Sequence, residues 1–522
     1  MPAGEAADIR EALTALCGKG NITADSDELR FFSQDLFFEG AIPLAVVSPT
    51  DTQMIADLVT LCRKHRVALH PRGGGMSYTD AFQPENARAV VIDLQKMDAI
   101  RELSVGGGYI MAEAGCTWAA IDDALAKHGM RARFWGPMSG AKATLGGSLS
   151  QGSVTFGSGH TGASANAVKS FEIVIGTGEI FRTGSDGMAG ASPFNRNYGP
   201  DLTGIFANDA GALGIKTAVA LEIEPRPAKV SGLSFAFDDF DAMAEMFHEV
   251  TLRRLSSEMI AMDAEVARQN AGTPNLVEDA KAMWRVGKSA GNPIAGLGRM
   301  ARVALGGRGF LDKAHYTAHF VIEGRDGADL ASRMKAIRGF AKGGDEIVNT
   351  VPLMTRASPF PELPVTHPDG RRMLPIHGIF PTMALGAFHR DYLSLKARYE
   401  QAMEDANVTI AEFFASIAGI GLLYEPVFYW PDARFEYHDR MTPDYLAGGL
   451  QDYPENIAAR DLVNEMTGAI VELMRKHGSG HFQIGRLYPC LTEREKSSGK
   501  FLRSIKRELD PDGIINPGAL GL

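Results

Sequence analysis

The chain is poor in the residues that carry metal and disulfide chemistry. Only four cysteines, Cys17, Cys62, Cys116 and Cys490, occur in 522 residues. None stands in CxxC spacing, which removes the usual thiolates of a zinc site or an iron–sulfur cluster, so reduced structural thiols and no metal are expected. Excess positive charge is missing too. Lys and Arg number 53 against 63 Asp and Glu, a net charge of −10, and a nucleic-acid partner would need clustered cations. No run of about 18 or more uncharged apolar residues is present. The opening MPAGEAADIREALTALCGKG lacks the basic-then-apolar order of a secretion signal, and a cytoplasmic protein is expected. Two nucleotide signatures are also lacking: there is no GxxxxGK[ST], and no GxGxxG opens a helix after the first strand.

What remains is ordinary globular composition, 45% hydrophobic and 22% charged, in a chain longer than one core usually serves. Two domains are therefore expected. AIPLAVVSPTDTQMIADLVTLCRKHRVALHPRGGG reads as strand, capped amphipathic helix, strand and glycine loop: Thr50/Asp51 start the helix, and Ile55, Leu58, Val59 and Cys62 recur at helical spacing. VKSFEIVIGTGEIFRTGS predicts a hairpin turning at Thr177-Gly178. The strand IKTAVALEIEPRP ends at Pro225 and Pro227, where a boundary is placed. Between about 228 and 480, strands followed by amphipathic helices predict an antiparallel sheet with helices on one side. TRASPFPELPVTHPDG reads as a surface excursion or lid, and the tail FLRSIKRELDPDGIINPGALGL as a helix and extended end returning to the first domain.

Two glycine-rich stretches stand out, PRGGGMSYTD and GPMSGAKATLGGSLSQGSVTFGSGHTGAS. Glycines let backbone N–H groups converge on an anion where a side chain would obstruct it, or else they serve tight turns. A loop of nearly thirty residues inside a compact domain points to ligand binding. A phosphate-bearing ligand is the leading expectation.

These stretches, with the hairpin EIVIGTGEIFRTGS, the segment YGPDLTGIFANDAGALGIKTAVALEIEPRP and the end LDPDGIINPGALG, resemble in their order the vanillyl-alcohol oxidase / p-cresol methylhydroxylase (PCMH) superfamily of FAD proteins. The resemblance implies an α+β fold: a PCMH-type FAD-binding domain of two α/β subdomains over 1–226, a substrate cap with an antiparallel sheet and helices over 227–479, and a segment 480–522 returning to the FAD domain. It implies cofactor contacts from Arg72, Gly73, Gly74, Gly75, Met76 and Ser77, from Pro137, Thr144, Gly147, Ser148, Gly152 and Ser153, and from Gly211, Gly214, Ile215 and Asn516. Several members attach the flavin through a histidine where this chain has Met76, whose thioether cannot form that bond. Attachment through a cap residue leaves His377, His389, Tyr424 and Tyr429 as candidates, and non-covalent FAD is the expectation.

The resemblance further implies an FAD-dependent oxidoreductase, dehydrogenase or oxidase, taking a hydride from an aromatic alcohol or para-alkylphenol. Arg486 and Tyr488 would polarise the substrate oxygen; where phenol oxidases carry an aspartate this chain departs with His160, either a replacement base or hydrogen-bonding partner or a satisfied loop histidine. The aromatic run YEPVFYWPDARFEYHDR is either a buried strand and its edge or a wall for a planar substrate; Tyr424, Glu425 and Tyr429 from it, together with His377, are the pocket candidates, with Glu425 a proton acceptor. Two alternatives stay open. One is a D-2-hydroxy acid dehydrogenase in which Arg486 clamps a carboxylate, although the HxGDGNxH metal motif of that group is missing. The other is a flavin-binding protein without catalysis. Oxygen or an external acceptor such as a cytochrome or quinone would take the electrons, and pairing of two copies is expected from the resemblance.

Overall fold

The computed structural model describes residues 3–270, 314–348, 350–357 and 359–522. Three sheets organise them. The first has the strand order Ile22–Thr23, Ala45–Val47, Ala89–Asp93, Ala68–Arg72. The helix Thr52–His65 forms as its spacing predicts: Asp51 accepts from the N–H of Met54, Ile55, Leu58, Val59 and Cys62 are buried, and Arg66 ends it in the left-handed region. The strands on either side of that helix are not neighbours, because both pair in parallel with Ala89–Asp93. All five residues of that strand are buried, as suits the middle of a parallel sheet.

The second sheet is antiparallel and centres on Ile215–Pro225, flanked by Tyr109–Glu113 and Val168–Val174, with Met130–Ala132 on its far end. The predicted hairpin is present as Val168–Val174 paired with Ile180–Arg182, turning at Gly178 with φ +88. After Pro225 the chain enters the third sheet at Lys229–Phe237. That sheet is antiparallel throughout, with the path Gly344–Ile347, Lys229–Phe237, Tyr316–Gly324, Glu258–Asp263, Thr409–Ile417, Gly421–Trp430, Arg372–Pro375, and Gly378–Phe380 also on Gly421–Trp430. The helices Phe240–Leu252, Leu385–Arg398 and Ile457–Lys476 bury Met243, Phe247, Phe388, Tyr392, Met466 and Ile470 in a core with Tyr424, Phe428 and Trp430 from the sheet.

Phe31, Phe32, Leu36 and Phe37 join that same core from the N-terminal part. The tail returns to the first sheet: Leu69 N–H donates to Ile514 O at 2.7 Å, and Asn516 N–H to Leu69 O at 2.8 Å. The proline-rich stretch 355–370, expected on the surface and described except for residue 358, lies against the molecule. Val365 and Thr366 are buried, and Phe360 packs edge-on to Trp135 and Phe156. Its apolar residues find walls formed by both halves of the chain.

Candidate active site

Between the first two sheets an open cleft of about 820 Å³, its solvent-filled mouth included, is walled by three loops. Arg72 to Ser77 form the first wall, and Thr144, Gly146 to Ser148 and Ser150 to Ser153 except Gly152 form most of the second. Ala210, Gly211, Gly214 and Lys216 form the third, with Pro137 and Gln483 at the rim. Thr144 caps the helix Leu145–Gln151. The glycines of 73–75 are required first by the protein's own packing. A Cβ on Gly73 would stand 2.1 Å from Thr144 Oγ1, one on Gly74 1.9 Å from Lys142 O, and one on Gly75 2.5 Å from Arg72 Nη2. The first loop therefore packs directly on Thr144, on the Lys142 carbonyl and on the Arg72 side chain, and the N–H groups of residues 73–77 find no acceptor among the described residues.

Arg72 sits beneath them. It is 2% exposed, with Phe31, Phe32 and Phe82 rings 4.5, 4.6 and 5.2 Å from its guanidinium carbon. Its Nε and Nη1 are buried without a partner among the described residues, as are Gln151 Oε1 and Ser153 Oγ along the same cleft. Burial pushes Arg72 down to about 10, so it stays charged at neutral pH. A desolvated, unpaired cation beside free amides is a site for an anion. Lys216, the other buried cation of the cleft wall, is already paired with Asp209 at 2.7 Å. These features fit a cofactor carrying a diphosphate.

Of the residues expected around the cofactor, Gly152, Ile215 and Asn516 stand behind the wall. Gly152 faces the Asn208 side chain, and Ile215 is core. Asn516 donates to Ala81 O and Ala210 O at 2.8 and 2.7 Å and contacts His70 Nδ1 at 3.0 Å. Gln483 and Lys216 were not foreseen. A lysine inside the apolar run GIKTAVALEIEP is a signal that could have been read.

From Gln483 a chain of hydrogen bonds leaves the cleft. Gln483 Nε2 donates to the Tyr78 hydroxyl at 3.3 Å, and Tyr78 donates to Glu425 Oε1 at 3.0 Å. Burial raises the Glu425 carboxyl to about 7, against the lowering effect of the Tyr78 hydrogen bond. Glu425 and Tyr429 share one face of strand Gly421–Trp430, four residues apart, while Tyr424 points to the other. There Tyr424 meets His389 Nδ1 at 2.8 Å, and His389 Nε2 meets the Tyr316 hydroxyl at 2.9 Å. Tyr424 and His389 therefore belong to the core under the helices, not to a pocket. Tyr429 packs against His367.

The three residues expected to act on substrate have other engagements. Arg486 donates to Asp80 O at 2.8 Å and Pro517 O at 2.7 Å and pairs with Asp80 and Glu85, fastening the tail. The Tyr488 hydroxyl accepts from His377 N–H at 2.7 Å and meets His377 Nδ1 at 3.3 Å, while His377 Nε2 donates to Phe482 O. The pair locks residues 376–380 to the loop 480–488, with both ring nitrogens of His377 in use. His160 lies elsewhere, on the short helix Ser158–Thr161. Its Nδ1 is 3.8 Å from Glu323, in an ion cluster where Arg131 holds Glu323 and Glu224, and burial pushes it down to about 4.

Residues 43–184 match the family model described as an FAD binding domain. Among curated proteins the chain is 25% identical over 251 residues to the glycolate oxidase subunit of Bacillus subtilis, covering 48% of this chain and 51% of that protein. It is 23% identical over 285 residues to the 4-cresol dehydrogenase [hydroxylating] flavoprotein subunit of Pseudomonas putida, covering 53% and 51%. The chain thus spans about half the length of these relatives. Among solved structures, p-cresol methylhydroxylase with substrate bound superposes with TM-score 0.72 at 16% identity over 100% of this chain and 98% of that one. The isoeugenol complex of 4-ethylphenol oxidase from Gulosibacter chungangensis gives 0.61 at 14%, covering 100% and 98%. At these identities the structural likeness is one of fold.

Proposed function

We propose that this chain, whose residues 43–184 match an FAD binding domain model, is an FAD-dependent oxidoreductase acting on the CH–OH group of an aromatic alcohol. Its parts are taken as an FAD-binding domain 1–226, a cap 227–479 and a closing segment 480–522. The observation that carries the reading is the chain Gln483–Tyr78–Glu425, which joins the cleft wall to a carboxyl raised to about 7. A carboxyl poised there accepts a proton at neutral pH and releases it again, which favours a general base.

Arg72 and the amides of 73–77 would hold the diphosphate. Bound FAD supplies the acceptor for the hydride of the substrate C–H bond. Glu425, as carboxylate, takes the hydroxyl proton; Tyr78 holds the carboxylate oxygen in place, and Gln483 holds Tyr78. Oxygen or an external acceptor such as a cytochrome or quinone would take up the electrons. The glycolate oxidase and cresol dehydrogenase relatives bracket the substrate class without choosing within it. Arg486, which the aromatic and the hydroxy-acid readings would both set on the substrate, is held by Asp80, Glu85 and Pro517, so the alcohol reading rests on Glu425.

Anaerobic mixing of the flavin-loaded protein with vanillyl alcohol, 4-alkylphenols and D-2-hydroxy acids tests the reading. Bleaching of the flavin band by the aromatic alcohol is expected. Bleaching by a hydroxy acid alone would transfer the substrate to that class, and no bleaching by any of them would leave a binding protein.

The flavin is proposed to be held without a covalent bond. Met76 occupies the first-loop position, both His377 nitrogens are engaged, and His389 and Tyr424 lie in the helix-side core. Acid precipitation should release the whole flavin absorbance into the supernatant; a yellow pellet would show a bond to protein.

A further inference from the structure

The helix Glu436–Met441 follows strand Gly421–Trp430 of the third sheet, yet its contacts run to the first half of the chain. Tyr437 N–H donates to Gln34 Oε1 at 3.1 Å, and His438 Nε2 donates to Leu36 O at 3.0 Å. Arg440 pairs with Glu28 at 2.9 Å, and Lys142 Nζ donates to Met441 O at 2.8 Å. At the centre of these contacts Tyr437, 1% exposed, donates its hydroxyl to Gly75 O at 2.8 Å. Its ring stacks on Phe31 at 6.2 Å and 18°, and Phe31 is one wall of the box around Arg72.

Gly75 stands at φ +68, in a loop whose amides make no other protein hydrogen bond among the described residues. A glycine peptide in that setting rotates at little steric cost. Across a trans peptide the C=O and the following N–H point to opposite sides. Holding the Gly75 carbonyl on the Tyr437 side therefore turns the Met76 N–H the other way. Gly75 and Met76 both line the cleft.

We infer that Tyr437 is a positioning residue for the cofactor: its hydroxyl fixes the Gly75–Met76 peptide so that the loop amides converge on the diphosphate, making the helix Glu436–Met441 a clasp from the cap onto the flavin site. The clasp rests on the FAD reading above. It also gives the aromatic run 424–440 a role that neither a strand edge nor a substrate wall supplies.

Tyr437→Phe keeps the ring, its stacking on Phe31 and the buried volume, and removes one hydrogen bond worth about 0.5–1.5 kcal/mol, or up to roughly tenfold in affinity. Flavin is stripped from wild type and variant, each is titrated with FAD by fluorescence quenching, and release is followed after dilution of the loaded protein. The variant is expected to bind FAD several-fold more weakly and release it faster, with the flavin-free form melting only slightly lower, since the same hydrogen bond is made there. Equal affinity and release rate would overturn the clasp. So would a lower melting temperature of the flavin-free form with unchanged affinity, which is the signature of packing alone. Failure of the wild type itself to take up FAD would count against the FAD reading instead.

Discussion

Replacing Arg72 by methionine will weaken the hold on FAD and, in the opposite sense, raise the melting temperature of the flavin-free protein. The guanidinium is 2% exposed, and its Nε and Nη1 have no protein acceptor among the described residues. A buried unpaired charge costs several kcal/mol even after relaxation. The three phenylalanine faces return part of that, each cation–π contact giving about 0.5–2 kcal/mol, but they accept none of the in-plane N–H bonds. Methionine fits an aromatic box and has nothing to desolvate. A net gain of about 1 kcal/mol would move the transition of a 150–250-residue unit by about 2–4 °C. With the diphosphate bound the sign reverses, since each charge-assisted hydrogen bond lost costs about 1.5–3 kcal/mol, or about 10- to 150-fold in affinity. Scanning calorimetry of stripped and reloaded protein measures both effects. A variant that melts lower when flavin-free and binds FAD as before would make Arg72 a plain core cation and remove the anion site.

Glu425→Gln should reduce the rate of flavin bleaching by substrate by about 10²–10⁴, the range for loss of a positioned general base, while FAD binding stays intact. The pH profile carries the finer test. Only the ionised carboxyl accepts a proton, so kcat/KM is expected to be low below pH 7, to rise tenfold per unit through that region, and to level off above it. Tyr78 donates to the carboxylate and lowers its pKa. Tyr78→Phe therefore moves the rising limb to higher pH, and Glu425→Gln abolishes it. A limb that stays near pH 7 in Glu425→Gln would assign the base to another group.

Much of this arrangement was legible in the sequence. The helix Thr52–His65, the hairpin at Gly178, the change of texture after Pro225 and the returning tail all follow from local signals: a capping aspartate, a turn glycine, a proline stop, hydrophobic spacing. The glycine loops were legible as a ligand site for the same reason, since residues without side chains must serve a close approach. Even so, the visitor at Gly73 and Gly74 is first Thr144 and Lys142 of the protein itself, some seventy residues away. Spacing cannot say which two loops will meet.

What the sequence determined by itself is the set of elements and the presence of a cradle, because turn chemistry and periodicity act over a few residues. What only the tertiary structure decided is which polar side chains are free to do chemistry. Arg486, Tyr488 and His160 have the right character for a reaction, but carbonyls and carboxylates of distant segments hold Arg486, His377 engages Tyr488, and His160 sits apart on the helix Ser158–Thr161. Glu425 gains its raised pKa from burial, which outweighs the lowering hydrogen bond from Tyr78, 347 positions away. Strand alternation separates it from its neighbour Tyr424. A side chain's availability depends on its partners, and those are chosen by packing across the whole chain.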